Sequence, residues 1–304
     1  MGRVKLILLS ALLSFATGAE SPPLRLNPDL VRPWSSELAA EAPFRFPFLA
    51  TFEKDGFVLA YIAAAHGTQE SSSTMTLIRK TLENGPFQAV MIEGFPFDAS
   101  SADKDSYLEA VKKGRAHGAI ENGEPAYTAI LAHSQGIPFY GGEPGAPEAL
   151  RNLRARGYET RDMLGFEIVR SVEWWDRQGK LGTTPLEKLA GDSLARLCRK
   201  YLLSPSECPD WTSFRDWYRS KNGKEFGKDF DKIEAEPKLD GQYFTQRLSS
   251  AVDDVRNKAT VAAVEALILR HRRILVVYGG SHLAMQQRAF EAALGAPSYS
   301  HSAA

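Results

Sequence analysis

Cysteine is scarce: the 304 residues contain two, Cys198 and Cys208. Two thiols with no histidine close by fall short of a tetrahedral zinc cage. No Cys-x-x-Cys-His run is present to attach haem covalently. Excess charge of either sign is also missing, with 37 Lys plus Arg against 37 Asp plus Glu. Such a balance argues against a nucleic-acid partner, which rewards a basic stripe. Long apolar runs are lacking after the first fifteen residues, so no stable membrane span is expected downstream of them. A repeat of fixed period is absent too, which argues against a solenoid.

What is present begins with a basic start, Met1-Gly2-Arg3-Val4-Lys5, followed by the apolar run Leu6 to Phe15 and the small residues Ala16-Thr17-Gly18-Ala19. These three parts predict a signal peptide over residues 1–19 and an exported chain, periplasmic or secreted. In an oxidising compartment Cys198 and Cys208 are placed to close a short loop as a disulfide; two free thiols are the alternative. A composition of 43% hydrophobic and 24% charged residues is that of an ordinary globular protein.

Residues 20 to about 50 are rich in proline and aperiodic, and predict an extended segment lying over a single domain from 51 to 304. Phe57–Ala65 is a continuous apolar run that stops at His66-Gly67, the pattern of a strand buried on both faces. Ser73 follows as a helix cap, with Met75, Ile78 and Leu82 at helical spacing to Asn84-Gly85. Ala89–Ile92 then reads as a strand delivering Glu93-Gly94. Two helical pieces between Asp105 and Ala132 break around Asn122-Gly123, and a third strand, Ile137–Tyr140, ends at Gly141-Gly142-Glu143. Residues from about 160 to 245 are charged, rich in Trp and Tyr, and predict a helical insertion. A long helix from Gln246 to about Arg270 carries a stripe of Val252, Val255, Ala259, Ala262, Ala266 and Leu269. It leads to the strand Ile274–Tyr278 and to Gly279-Gly280-Ser281-His282. The expected fold is therefore α/β, a largely parallel central sheet flanked by helices, with the helical insertion before the last long helix and strand.

Ligands of open parallel sheets bind beyond the carboxyl ends of the strands. Those ends hold His66, Glu93, Glu143 and His282, each close to a glycine. A single histidine after a strand is ordinarily structural; four ionisable residues at four strand ends are a candidate site. Two imidazoles and a carboxylate suit a divalent cation, and equally an acid/base set without one.

The ordered set Ala63-Ala64-Ala65-His66-Gly67-Thr68, Val90-Met91-Ile92-Glu93-Gly94, Gly142-Glu143, Val255-Arg256-Asn257 and Tyr278-Gly279-Gly280-Ser281-His282-Leu283 resembles the TraB/GumN/Tiki superfamily, related to erythromycin-esterase and ChaN-like proteins, over about residues 50 to 290. That family is marked by two glycine-x-x-histidine motifs; the second matches at Gly279–His282, and the first departs, with Ala63 in the glycine position. The resemblance implies a metal-assisted hydrolase of peptide or ester bonds. It assigns His66, Glu93 and His282 to a divalent ion of Mn, Co or Zn type and to catalysis, with Glu143 and Arg256 as supporting site residues. Arg256 flanks the apolar stripe of its helix, where a salt bridge is the plainer role.

Two other readings compete. Ala132-His133-Ser134-Gln135-Gly136 is one residue from a nucleophile elbow, which would make Ser134 and His282 parts of a metal-independent serine hydrolase. The aromatic insertion with nearby histidines suggests instead a haem or hydrophobic-ligand binder without enzymatic activity. The Trp174-Trp175 pair is more simply a packing anchor.

Overall fold

The computed structural model describes residues 24–41, 45–116, 118–227 and 230–301; the expected signal peptide lies outside them. The first described stretch is less extended than its prolines suggest. It holds a short helix α1 (Ser36–Ala40), and strand β1 (Phe48–Lys54) begins before the expected domain start at 51. Leu26, Val31 and Leu38 are buried against the main core, so this lead-in is part of the domain.

β1 turns directly into β2 (Phe57–Ala64) as an antiparallel pair. Helix α2 (Ser73–Asn84) is capped by Ser72, one residue before the expected cap, and leads to β3 (Ala89–Pro96). Helices α3 (Ser101–Lys113) and α4 (Gly123–Ser134) follow, separated by a small hairpin of β4 (Arg115–Ala116) and β5 (Ala119–Ile120). Strand β6 (Phe139–Glu143) and helix α5 (Ala146–Ala155) come next. The insertion is helical as expected: α6 (Thr160–Arg177), α7 (Leu186–Lys200) and α8 (Trp211–Asn222). The chain closes with α9 (Phe244–His271), β7 (Arg273–Gly279), α10 (Gly280–Leu294) and β8 (Ser298–Ser300).

The six-stranded sheet runs β6-β3-β7-β2-β1-β8. β6, β3, β7 and β2 are parallel, and β1 is antiparallel to both β2 and β8. The α/β expectation therefore holds, with an antiparallel edge added by β1, which starts inside the lead-in expected to be extended, and by the three-residue β8. β2 and β7 are buried through nearly their whole length because their alternate side chains feed two separate cores. Leu59, Tyr61, Ile274 and Val276 face α9 and α10, whereas Ala60, Ile62, Leu275 and Val277 face α2, α3 and α4.

The insertion has a core of its own, including Phe166, Trp175, Phe214 and Tyr218. Trp175 is buried in it while Trp174 lies at the surface, 38% exposed. Helix α9, about 42 Å long at 1.5 Å per residue, joins the two bodies: Leu248, Val252 and Val255 pack in the insertion, and Val261, Val264, Leu267 and Ile268 under the sheet. Its buried face departs from the expected stripe, because Ala262, Ala266 and Leu269 are exposed. Alanine carries little directional information, and the larger side chains at 261, 264, 267 and 268 decide which way the helix faces. Cys198 and Cys208 are joined, tying the end of α7 to the approach of α8. Closing so short a loop stabilises the fold by about 3 kcal/mol through the unfolded chain. No helix among the described residues is long and apolar enough to cross a membrane.

Candidate active site at the carboxyl edge of the sheet

The parallel order brings the ends of β2, β7, β3 and β6 side by side, and with them His66, His282, Glu93 and Glu143. Glu93 is turned into the site by an irregularity in β3. The register with β6 shifts between Ile92 and Pro96, and Gly94 takes φ +74°, a conformation glycine adopts without strain. One Glu93 oxygen accepts from the Gly279 backbone N–H at 2.8 Å, at the start of α10. The other lies 3.3 Å from His282 Nε2 and accepts from Arg256 Nη2 at 3.2 Å.

His66 faces the same carboxylate. A methyl group placed on Gly279 would stand 2.7 Å from His66 Nε2 and 3.4 Å from Glu93 Oε2, so both groups border a position that must lack a side chain. The other ring nitrogen of His66, Nδ1, bonds to Glu124 Oε1, and Glu124 Oε2 accepts from the Gly67 N–H at 3.3 Å. Glu124 is 3% exposed, although His66 itself is open to solvent on one side. The bond from Glu124 raises the His66 pKa above its ordinary value, against the opposing effect of burial.

His282 is held in the same manner by a neutral partner. Its Nδ1 lies 2.9 Å from Asn257 Oδ1, which also accepts from Gln286 Nε2 at 2.7 Å, while Asn257 Nδ2 donates to the Asp253 carbonyl at 2.7 Å. Since Oδ1 can only accept, His282 donates its Nδ1–H to it, and Nε2 turns to Glu93. Tyr61 extends the chain by donating to Gln286 Oε1 at 3.2 Å.

Arg256 bridges the two carboxylates. It donates to both Glu143 oxygens at 2.7 Å, as well as to Glu93. Burial favours the neutral form of Glu143 and of Glu93. For Glu143 the charge and hydrogen bonds of Arg256 outweigh burial; for Glu93, His282, Arg256 and the Gly279 amide do. Both pKa values come out below the ordinary carboxylate range. The salt bridge expected of Arg256 is thus present, and it lies inside the site.

Of the residues assigned to the strand-end site in the sequence, Glu93, Glu143, Arg256 and His282 form one connected cluster, and His66 borders it at Gly279. Glu124, Asn257 and Gln286 were not assigned roles there. The only sequence signals for them are an acidic residue in the first turn of α4, the neighbour of Arg256 on α9, and the position one turn after His282 on α10. Ala63, in the glycine position of the first motif, lies fully buried inside β2 and is accommodated without conflict.

The serine reading is corrected. Ser134 ends α4 at the opposite edge of the sheet, before β6, and its hydroxyl donates to the Leu131 carbonyl at 2.8 Å. A helix runs into it and a strand follows, the reverse of an elbow.

Among the described residues no group of three or more His, Cys, Asp or Glu side chains is placed to hold a metal ion. Glu93 is engaged with Arg256 and His282 instead. The donor types are nevertheless ones a divalent ion accepts: two imidazoles, each with Nδ1 on a buried acceptor, with His282 Nε2 3.3 Å from Glu93 and His66 Nε2 bordering the same face of Gly279. A cleft of about 560 Å³ opens from Gly94, Glu143 and Arg256 and runs to Glu167, Arg170, Lys200 and Tyr201 of the insertion. No protein-family model, curated protein or solved structure matches the chain.

Proposed function

We propose that this protein is an exported hydrolase of peptide or ester bonds, assisted by a divalent ion of Mn, Co or Zn type held by His66, Glu93 and His282. The observation that carries this reading is a pair of imidazoles, each anchored through Nδ1, with His282 Nε2 3.3 Å from Glu93 and His66 Nε2 bordering the same Gly279 position. Such backing by a carboxylate or an amide oxygen is the arrangement that orients metal-binding imidazoles. A bound ion would acidify a water molecule and polarise a carbonyl.

The chain's own groups do the remaining work. Glu124 and Asn257 hold the tautomers of His66 and His282. Arg256 keeps Glu93 and Glu143 ionised and supplies a fixed positive charge near a developing oxyanion. The cleft leading to the insertion positions the substrate chain against these groups.

Metal analysis of the purified protein, paired with peptide and ester hydrolysis before and after chelation, tests the reading. One equivalent of a divalent ion, activity lost on chelation and restored by the ion, and loss of both in His282→Ala are expected. Absence of any ion, together with hydrolysis indifferent to chelator, would overturn it.

A further inference from the structure

The distal end of the cleft takes no part in the chemistry proposed above. Its walls there are Glu167 and Arg170 of α6, with Lys200 and Tyr201 at the close of α7. The Tyr201 hydroxyl donates to Glu167 Oε1 at 3.4 Å, while Arg170 Nη1 stands 3.7 Å from the same oxygen, beyond hydrogen-bond reach. Lys200 has no carboxylate partner among the described residues and lies near the Tyr201 ring, 5.6 Å from its centre. At the catalytic end Arg256 is matched by Glu143 and Glu93. At the distal end Glu167 is balanced by Arg170 and Lys200 is left over, so that end is positive by one unit. The lining also includes the apolar Met163, Val252, Pro147 and Ala149. The disulfide fixes the turn that carries Lys200 and Tyr201, which lowers the entropy cost of using them as an anchor.

We infer, resting on the hydrolase reading of the catalytic end, that the substrate is a short peptide or acyl chain bearing a free carboxylate. An apolar stem separates that carboxylate from the scissile bond, and Lys200 and Arg170 bind it. A single surplus positive charge matches a monoanion, and the uncommitted guanidinium donors of Arg170 suit the two oxygens of a carboxylate. The volume lies within the roughly 300–1,000 Å³ of small-molecule sites.

The test uses the full metal-loaded protein and fluorogenic N-acyl dipeptides, each made with a free terminal carboxylate and as the terminal amide. The carboxylate form is expected to show kcat/KM roughly tenfold higher, as for one partly exposed charge-assisted contact. In Lys200→Met and Arg170→Met this ratio should fall toward one, while Lys188→Met, on the solvent face of the same helix, should keep it. Equal turnover of the two forms by the unaltered protein, or a ratio unmoved by Lys200→Met, would overturn the inference. If neither form is cleaved, the hydrolase reading fails separately, and calorimetric titration with the same pair decides the subsite. Binding of the carboxylate form that depends on Lys200 supports it; no preference between the two overturns it.

Discussion

His66 and Glu93 can both border position 279 because it has no side chain. A Gly279→Ala methyl would sit 2.7 Å from His66 Nε2, the free end of a solvent-facing side chain, so the imidazole would swing aside and the strand would stay. The expected outcome is a loss of hydrolysis by at least about tenfold with a melting temperature nearly unchanged, since the displaced group is not in the core. A folded variant with full activity would show that His66 has no role. Glu124 supports the same ring from behind. Glu124→Gln, which keeps the shape and removes the charge, should weaken metal affinity by roughly 10–100-fold, measured by competition with a chelator; unaltered affinity would make Glu124 merely structural.

These supporting residues mark the limit of what the sequence discloses. His66, Glu93, Glu143 and His282 stood out because each follows a strand whose apolar run is visible, and Arg256 entered through the family resemblance. Glu124 comes from a helix 58 residues further on, and its direction depends on how the β4–β5 hairpin folds back over the loop after β2. No local pattern encodes that approach.

At the scale of the elements, α9 deserves the closest look. Arg256 lies where this helix passes from the insertion core to the sheet core, and through Glu143 and Glu93 it fastens that joint to the strand ends. Removing one member of a buried ion pair strands the other, at a cost of about 3–5 kcal/mol. Glu143→Gln should therefore be less stable than the unaltered protein at pH 7. The pH sign follows from the depressed folded pKa values of Glu143 and Glu93. Their contribution is complete above the ordinary carboxylate value of about 4.3 and is lost as pH falls through the lower folded values. The stability gap between the two proteins should thus narrow only below about pH 4, as read by denaturant titration at pH 7, 5 and 3. A gap that is absent at pH 7, or constant into acid, would contradict it. The sequence announced α9 as a long amphipathic helix but misplaced its inner face beyond residue 259, because a run of alanines reads as apolar on every side.

For the whole molecule, the sheet order separates neighbours in space from neighbours in sequence. β2 and β3 are consecutive parallel strands, yet β7 lies between them. The parallel layout and the insertion were legible as helix-separated apolar runs. The place of β7 was not, because pairing partners more than 180 residues apart leave no mark in local periodicity.

That arrangement puts a clock on the molecule. While the chain is being made, residues up to about 272 can form a hairpin and a separate pair of strands, each with an open edge and one half of the site. Only when the penultimate strand arrives do the halves close, and the second histidine comes with it, so neither a stable sheet nor a working centre exists in a nascent or shortened chain. A version ending at residue 272 is expected to aggregate or to show no cooperative unfolding transition; a soluble, cooperatively melting fragment would show that the sheet closes by another route. Synthesis through β7 thereby becomes the condition for assembling the candidate site.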